Sequence, residues 1–279
     1  MEKYAEVEKS IIKKFRKPIW NKFIMGIKEY KMINDGDKIA VCISGGKDSM
    51  LLAKCIQHLQ KYSETNFGVE FICMDPGYNP ENREKIIGNA KLLNIPVKIY
   101  NSNIFNVVEK TEKSPCYLCA RMRRGNLYKF AKELGCNKIA LGHHYDDVIE
   151  TIFMGMLYSG QLQTMMPKLH STNFKGMELI RPLYMVHEAD IKNWVRYNNL
   201  EFIACACSLT EKESQVTNEH HISKRAETKE LIAKLKKVNP FIESNIFNSV
   251  CNLNLSTIIS YKNGEKTISF LDDYNNKSE

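Results

Sequence analysis

KIAVCISGGKDSMLL, residues 38–52, decides how the rest of the chain is read. Ile39 to Ile43 form a short, almost wholly apolar run, the composition of a strand buried on both faces in a parallel sheet. Ser44-Gly45-Gly46-Lys47-Asp48-Ser49 follows, and Met50 to Ala53 read as the first turns of a buried helix. A strand, a glycine turn and a helix together make an anion site. The glycines let the backbone turn tightly, and the helix N-terminus aims free N–H groups and partial positive charge at a phosphate. Ser44 and Ser49 add hydroxyl donors, and Lys47 adds a full charge. The spacing matches neither G-x-x-x-x-G-K-[ST] nor G-x-G-x-x-G, so neither common nucleotide loop is present. The bland alternative is a Gly-Gly turn before a helix capped by Ser44 or Asp48.

The 279 residues suffice for one large α/β domain with a smaller appendage. Forty Lys and Arg against 32 Asp and Glu leave a formal charge of +8, which suits a nucleotide or nucleic-acid partner without requiring one. The N-terminus MEKYAEVEKSIIKKF is charged and lacks the apolar core of a signal peptide. No stretch approaches the roughly 18 apolar residues of a membrane span. The expectation is a cytoplasmic protein with no membrane partner. Its nine cysteines are then metal-binding, catalytic or buried rather than paired.

Outward from the loop, residues 1–33 read as a helical N-terminal extension, with Ile11, Phe15, Ile19, Phe23 and Ile27 at helical spacing and Pro18 breaking the run. Its basic face (Lys13, Lys14, Arg16, Lys17, Lys22) is either a solvated surface or an RNA contact. Val69–Met74 reads as a second buried strand ending at Asp75-Pro76-Gly77. Asp75 there is either a nucleotide or magnesium contact at a strand end or simply a turn-starting residue. A helix over 82–93, a strand over 95–99, a helix over 126–134 and a strand over 138–141 follow. Then come Gly142-His143-His144-Tyr145-Asp146-Asp147 and a helix from Val148 to Tyr158. Residues 155–172 read as an irregular loop, 179–183 as an edge strand and 187–197 as a helix. Such alternation means a doubly wound parallel α/β sheet over 34–207, with a helical or irregular C-terminal extension over 208–279.

Cys116-x-x-Cys119, in a turn stiffened by Pro115, is a redox pair, half a zinc site or a cluster ligand pair. Cys205 and Cys207 form a second close pair. Cys42, Cys55, Cys73 and Cys136 fall in apolar positions and read as buried small hydrophobes. Three or four thiolates suit zinc or an iron–sulfur cluster, and composition does not choose.

S-G-G-K-D-S resembles the pyrophosphate loop of the PP-loop ATP pyrophosphatases, which have an adenine nucleotide alpha hydrolase-like fold. CYLCARMRRGNLYKFAKELGCNKIALGHHYDD (116–147) resembles the tRNA 2-thiocytidine synthetases of that superfamily. The likeness continues through Met166-Pro167-Lys168-Leu169, Ile180-Arg181-Pro182-Leu183 and the helix after Glu188-Ala189-Asp190-Ile191. The resemblance implies an ATP- and iron–sulfur-dependent tRNA thiolase that adenylates a cytidine of the anticodon loop. It implies that Ser44, Gly45, Gly46, Lys47, Asp48 and Ser49 hold the ATP pyrophosphate. Asp48 is then expected to coordinate Mg2+ with help from Asp75, and the resemblance places Gly142 and His143 beside the nucleotide. Of Asp146 and Asp147 at the next helix start, one is expected as a cap and the other, Asp147, to hold magnesium or position the base. It further implies a [4Fe–4S] cluster on Cys116, Cys119 and Cys205, a homodimer, and a sulfur donor that is a cysteine desulfurase or inorganic sulfide. The family pattern I-P-C-x-x-C reads here Ile203-Ala204-Cys205-Ala206-Cys207. The proline is absent and the second cysteine comes one residue early, so Cys207 and a four-thiolate site stay open as alternatives. Arg121, Arg123 and Arg124 beside the C-x-x-C suit RNA phosphate or a plain ion-paired surface. The competing readings are a tRNA 2-thiouridine synthase, whose relatives usually carry terminal zinc-finger pairs absent here, a sulfur-transfer or desulfurating protein acting on a small molecule, and a zinc-stabilised nucleotide-binding module.

Overall fold

The computed structural model describes residues 2–102, 104–105, 115–203, 223–272 and 274, the side chains of 115–117 excepted. Two compact units emerge, one of residues 1–148 and 165–223 and one of 149–164 and 224–279.

The first unit opens with helix α1 (Lys3–Ile12), a π-helical turn (Arg16–Trp20) containing Pro18, and α2 (Asn21–Glu29). The core alternation follows as β1 (Lys38–Cys42), α3 (Lys47–Tyr62), β2 (Gly68–Asp75), α4 (Pro80–Leu92), β3 (Val97–Asn101), α5 (Pro115–Glu133) and β4 (Lys138–Ala140). It ends with the start of α6 (Tyr145–Ser159), whose residues from 149 on belong to the second unit, and with β5 (Lys168–His170), β6 (Glu178–Ile180) and α7 (Glu188–Tyr197).

The six strands stand in the order β3-β2-β1-β4-β6-β5, parallel except for antiparallel β5 at the edge. The chain moves outward from β1 to β3, then returns through α5 to lay β4 on the other side of β1. Right-handed crossovers in opposite directions put α3 and α4 on one face and α5 on the other. Ala40 and Cys42 accordingly pack with Tyr128 and Ala131 of α5, while Met50 to Ala53 of α3 are wholly buried. The expected doubly wound sheet is present, and its order reverses between β1 and β4, where such sheets bind ligands.

Several expected elements are corrected. Helix α5 begins at Pro115, eleven residues before the expected start at Asn126, so Cys116 and Cys119 sit one turn apart on a helix and not in a turn. Proline suits a first helical turn, and the Ala, Arg, Met and Leu that follow are strong helix formers. The third strand starts at Val97 because Ile95 still caps α4, its N–H bonding to the Ala90 carbonyl with Asn94 at φ 52°. The expected edge strand near 179 is internal, and its outer neighbour β5 lies in the stretch expected to be irregular loop. Pro182 falls beyond the paired residues and costs the ladder nothing.

In the second unit α8 (Lys224–Val238) packs against α9 (Ile242–Asn248), and Arg225 pairs with buried Glu150 at 3.5 Å. A hairpin, β7 (Ser260–Asn263) and β8 (Lys266–Ser269), closes through a two-residue turn with Gly264 at φ 64°. The dipeptide Asn263-Gly264 was the available signal for it.

Candidate active site at the β1/β4 switch point

The loop after β1 leads straight into α3, whose N-cap is Gly46 and carries no side-chain cap. The bland capping by Ser44 or Asp48 is therefore not realised, and first-turn amides are left for an anion. Gly45 takes φ 84°, and a Cβ there would lie 2.5 Å from Ile86 of α4 and 2.7 Å from Ile203. Only glycine lets the loop lie against those side chains. Ser49 Oγ staples the loop: it accepts from Ser44 N–H and Ser44 Oγ, each at 3.2 Å, and donates to the Gly46 carbonyl at 2.9 Å.

Lys47 Nζ lies 3.1 Å from both Asp48 Oδ2 and Glu188 Oε1. Burial opposes its charge, yet the two carboxylates outweigh burial and hold the ammonium above the usual lysine range. Glu188 is tied in turn through its backbone N–H to Asp146 Oδ2 at 2.7 Å, which joins the starts of α6 and α7. Asp48 Oδ1 is buried and has no hydrogen-bond partner among the described residues. A buried carboxylate oxygen without a donor fits a cation.

Opposite, Gly142 follows β4. A Cβ there would lie 3.0 Å from the Asp48 carbonyl carbon and the Ser49 nitrogen, so the two loops touch through backbone. His144 and Asp147 form a reciprocal cap on α6: His144 N–H donates to Asp147 Oδ2 at 3.0 Å, and Asp147 N–H to His144 Nδ1 at 3.4 Å. Arg181, 8% exposed at the end of β6, donates from Nε to His143 Nδ1 at 3.2 Å and from its terminal nitrogen to the Met166 carbonyl. Burial lowers the Arg181 pKa to about 10. Because His143 Nδ1 accepts, a neutral His143 ring carries its proton on Nε2.

These groups surround a cavity of about 450 Å³. Ser44, Asp48, Ser49, Gly142, His143 and Asp147 line one side, and Ala120, Arg123, Arg124 and Leu127 of α5 line the other. Of the sequence-derived candidates, Gly45, Gly46 and Lys47 support the loop and do not line the cavity. Asp75 is buried away from it. Its Oδ1 accepts from Gly77 and Tyr78 N–H, and its Oδ2 pairs with Arg83 at 2.6 Å, so both oxygens serve the turn and α4. Cys119 is 6% exposed among Met74, Ile104 and Phe105. The Cys116 side chain and Cys205 and Cys207 lie outside the described residues. Cys42, Cys55, Cys73 and Cys136 are buried as expected, and burial pushes the Cys73 thiol up to about 12 and that of Cys136 to about 11. Sequence reasoning gave no role to Arg181, Glu188 or His144. A charged residue inside the I-R-P-L strand end was the one available signal for Arg181.

A glycine-serine loop at the switch point of a doubly wound sheet, with an uncapped helix behind it, defines a nucleotide-binding α/β protein. The chain belongs to the PP-loop domain family, whose pattern matches residues 11–212, and within it to the proteins named tRNA-cytidine(32) 2-sulfurtransferase. It is 37% identical to that protein of Paraburkholderia xenovorans over 242 residues, 85% of this chain and 68% of the relative. It is 35% identical to a Francisella philomiragia protein of the same name over 87% of this chain and 92% of the relative. The corresponding Coxiella burnetii figures are 34%, 85% and 90%. Among solved structures it is similar to the U34-tRNA thiolase NcsA of Methanococcus maripaludis with its [4Fe–4S] cluster. The TM-score is 0.64 at 20% identity, over 82% of this chain and 76% of that one, which shows a shared fold. Among the described residues no helix is long and apolar enough to cross a membrane.

Proposed function

We propose that the protein is an ATP-dependent tRNA sulfurtransferase that converts a cytidine of the anticodon loop, position 32 in its named relatives, to 2-thiocytidine. The observation that carries this reading is that the pyrophosphate loop and the helix bearing the C-x-x-C line one cavity. The catalytic machinery falls within residues 34–207, flanked by the extensions 1–33 and 208–279.

The first-turn amides of α3 hold the β and γ phosphates, and the Ser44 and Ser49 hydroxyls, bonded to each other and to the Gly46 carbonyl, keep the loop in the shape that presents those amides. Lys47 is kept charged by Asp48 and Glu188 and offers that charge to the same anion. Asp48, with its orphaned Oδ1, and Asp147 would hold Mg2+, which neutralises charge on the departing pyrophosphate. Asp75, whose oxygens are both engaged, ties the end of β2 to α4. The cytosine O2 attacks the α-phosphorus and pyrophosphate leaves. Sulfur then replaces the adenylated oxygen at C2 and AMP departs. His143 presents Nε2–H as a donor beside the nucleotide, and Arg123 and Arg124 supply charge for RNA or nucleotide phosphate.

Cys116 and Cys119, one helical turn apart and with Cys119 in a dry apolar setting, fit two ligands of a [4Fe–4S] cluster. Ile203 packs on Gly45, and Cys205, two residues further along the sequence, is the proposed third ligand. Such a cluster held by three thiolates supplies an iron able to carry hydrosulfide. The donor of that sulfur is a cysteine desulfurase or inorganic sulfide, and the working form is a homodimer.

The test is anaerobic purification with iron, sulfide and zinc analysis of wild type and of Cys116→Ala, Cys119→Ala, Cys205→Ala and Cys207→Ala. It is paired with nucleoside mass spectrometry after incubation with tRNA, ATP, Mg2+ and sulfide. Brown protein with about four irons, AMP release and 2-thiocytidine are expected, with both colour and activity lost on replacing Cys205. A 2-thiouridine product moves the target base. Colourless zinc protein forming no AMP sinks the reading.

A further inference from the structure

The chain's excess positive charge is concentrated. Residues 9–28 hold seven Lys and Arg and no Asp or Glu, which leaves 33 cations against 32 carboxylates in all the rest. The fold exposes six of these seven cations, Lys22 being half-buried. Glu8, the nearest acid on α1, points inward to Lys54 at 3.4 Å and His58 at 2.8 Å. Ser10 of the same helix bonds Asn198 at 3.0 Å. The inner face of α1 is thus pinned to α3 and to the end of α7. Lys9, Lys13, Lys14, Arg16 and Lys17 are all exposed, and none of them pairs with an acid among the described residues.

Between α1 and the end of α7 lies a cleft of about 520 Å³. Lys3, Lys9, Lys13 and Lys14 line it against a single acid, Glu6, and Tyr197 forms its far wall. Lys14 Nζ sits 3.8 Å over the Tyr197 ring, which is itself 52% exposed. Cations beside an exposed aromatic are the elements of a nucleic-acid contact: phosphate is met by charge and a base or sugar by the ring. Glu188 at the first end of α7 touches Lys47 of the loop, and Tyr197 lies at the last end, about 15 Å along the helix. The cleft is therefore displaced from the catalytic cavity by the length of one helix, on the same unit.

We propose that this cleft is a second RNA-binding surface, which grips the sugar–phosphate backbone of the tRNA outside the loop whose base enters the cavity. The inference rests on the tRNA reading above and adds to it the place where the rest of the substrate is held.

The test measures binding of an unmodified tRNA transcript with cytidine at position 32, and of its isolated anticodon arm, from 50 to 250 mM salt (on the order of the range where phosphate contacts dominate). Wild type is compared with K9Q/K13Q/K14Q/K17Q, with Tyr197→Ala, and with a control that neutralises Lys234, Lys236, Lys237 and Lys262. The quadruple variant is expected to lose about 10–100-fold in affinity and about two to three units of the log K against log salt slope. Its ATP binding and its kcat at saturating tRNA stay at wild-type values. Tyr197→Ala is expected to lose about tenfold, and the control to match wild type. If the quadruple variant and the control behave alike, the proposal fails while the tRNA reading stands. Loss of sedimentation with phosphatidylglycerol vesicles, with tRNA binding intact, overturns it in favour of a lipid surface. A wild type that binds no tRNA overturns the reading and the proposal together. Circular dichroism of each variant separates lost charge from lost fold, and the halves K9Q/K13Q and K14Q/K17Q keep the test open should the quadruple variant not fold.

Discussion

The two ends of the parallel sheet treat charge in opposite ways. At the N-terminal ends of the strands, Lys138 is 2% exposed but answered on every side: Asp37 at 2.7 Å, Glu178 at 3.1 Å and the Met32 carbonyl at 2.9 Å. Asn137 bonds Asp37, and Glu70 lies between Lys38 at 3.2 Å and Lys98 at 2.8 Å. At the C-terminal ends the β2/β3 side is also closed, with Asp75, Arg83 and Asn101 joined. Among the described residues the β1/β4 side is left open, with an uncapped helix start, a carboxylate oxygen without a donor and a buried arginine aimed at a histidine. A saturated network stabilises, while unmet polar groups are held ready for a ligand. The switch point is where the fold itself leaves a gap for one, since the chain departs from β1 and β4 in opposite directions.

This contrast can be broken at either end. Asp48→Asn should abolish catalysis at the open end, lowering thiolation by on the order of 10³, or about 4 kcal/mol of activation free energy, in a single-turnover assay. Its unfolding free energy should change by less than about 1 kcal/mol, because Lys47 keeps Glu188. Lys138→Met should do the reverse. Buried Asp37 loses its cation, while half-buried Glu178 keeps Lys168 at 3.4 Å, at a cost of about 3–5 kcal/mol in urea unfolding. Nucleotide affinity of the folded fraction should stay unchanged.

Arg181→Met should remove the donor to His143 Nδ1, shifting the ring's tautomer balance in 15N spectra and lowering kcat/KM by about tenfold. A spectrum identical to wild type would remove Arg181 from the site. The smallest effect is in acid. Burial raises the Asp37 pKa, but Lys138, the Asn34 N–H and Asn137 outweigh it and hold the folded carboxyl below its ordinary 3.8. A lowered folded value means stability that is present above 3.8 and lost as pH falls through and below it. Asp37→Asn should therefore flatten the acid limb of the stability curve, and an unchanged limb would place acid sensitivity elsewhere.

Much of the open end was legible in the chain. Ile39 to Ser49 announces a buried strand, a glycine loop and a helix because each local preference agrees with the next. The pairings that hold the closed end were not legible: Lys138 and Asp37 are a hundred residues apart in a sequence where neither has a marked neighbour. The C-x-x-C helix was misread because its Arg-rich stretch lacks a clean apolar period and hid behind a motif commonly found in turns. The β7–β8 hairpin was passed over because its strands are too short and polar to show alternation.

By itself the sequence determined the kind of elements, their order and the loop that meets phosphate, since these follow from propensity and pattern over a few residues. Only the tertiary structure decided that β4 returns beside β1, that Arg181 reaches His143, that Asp75 is consumed by Arg83, and that Lys9, Lys13 and Lys14 share a cleft with Tyr197. Those outcomes depend on which distant surfaces bury together, and burial is a property of the whole packed chain.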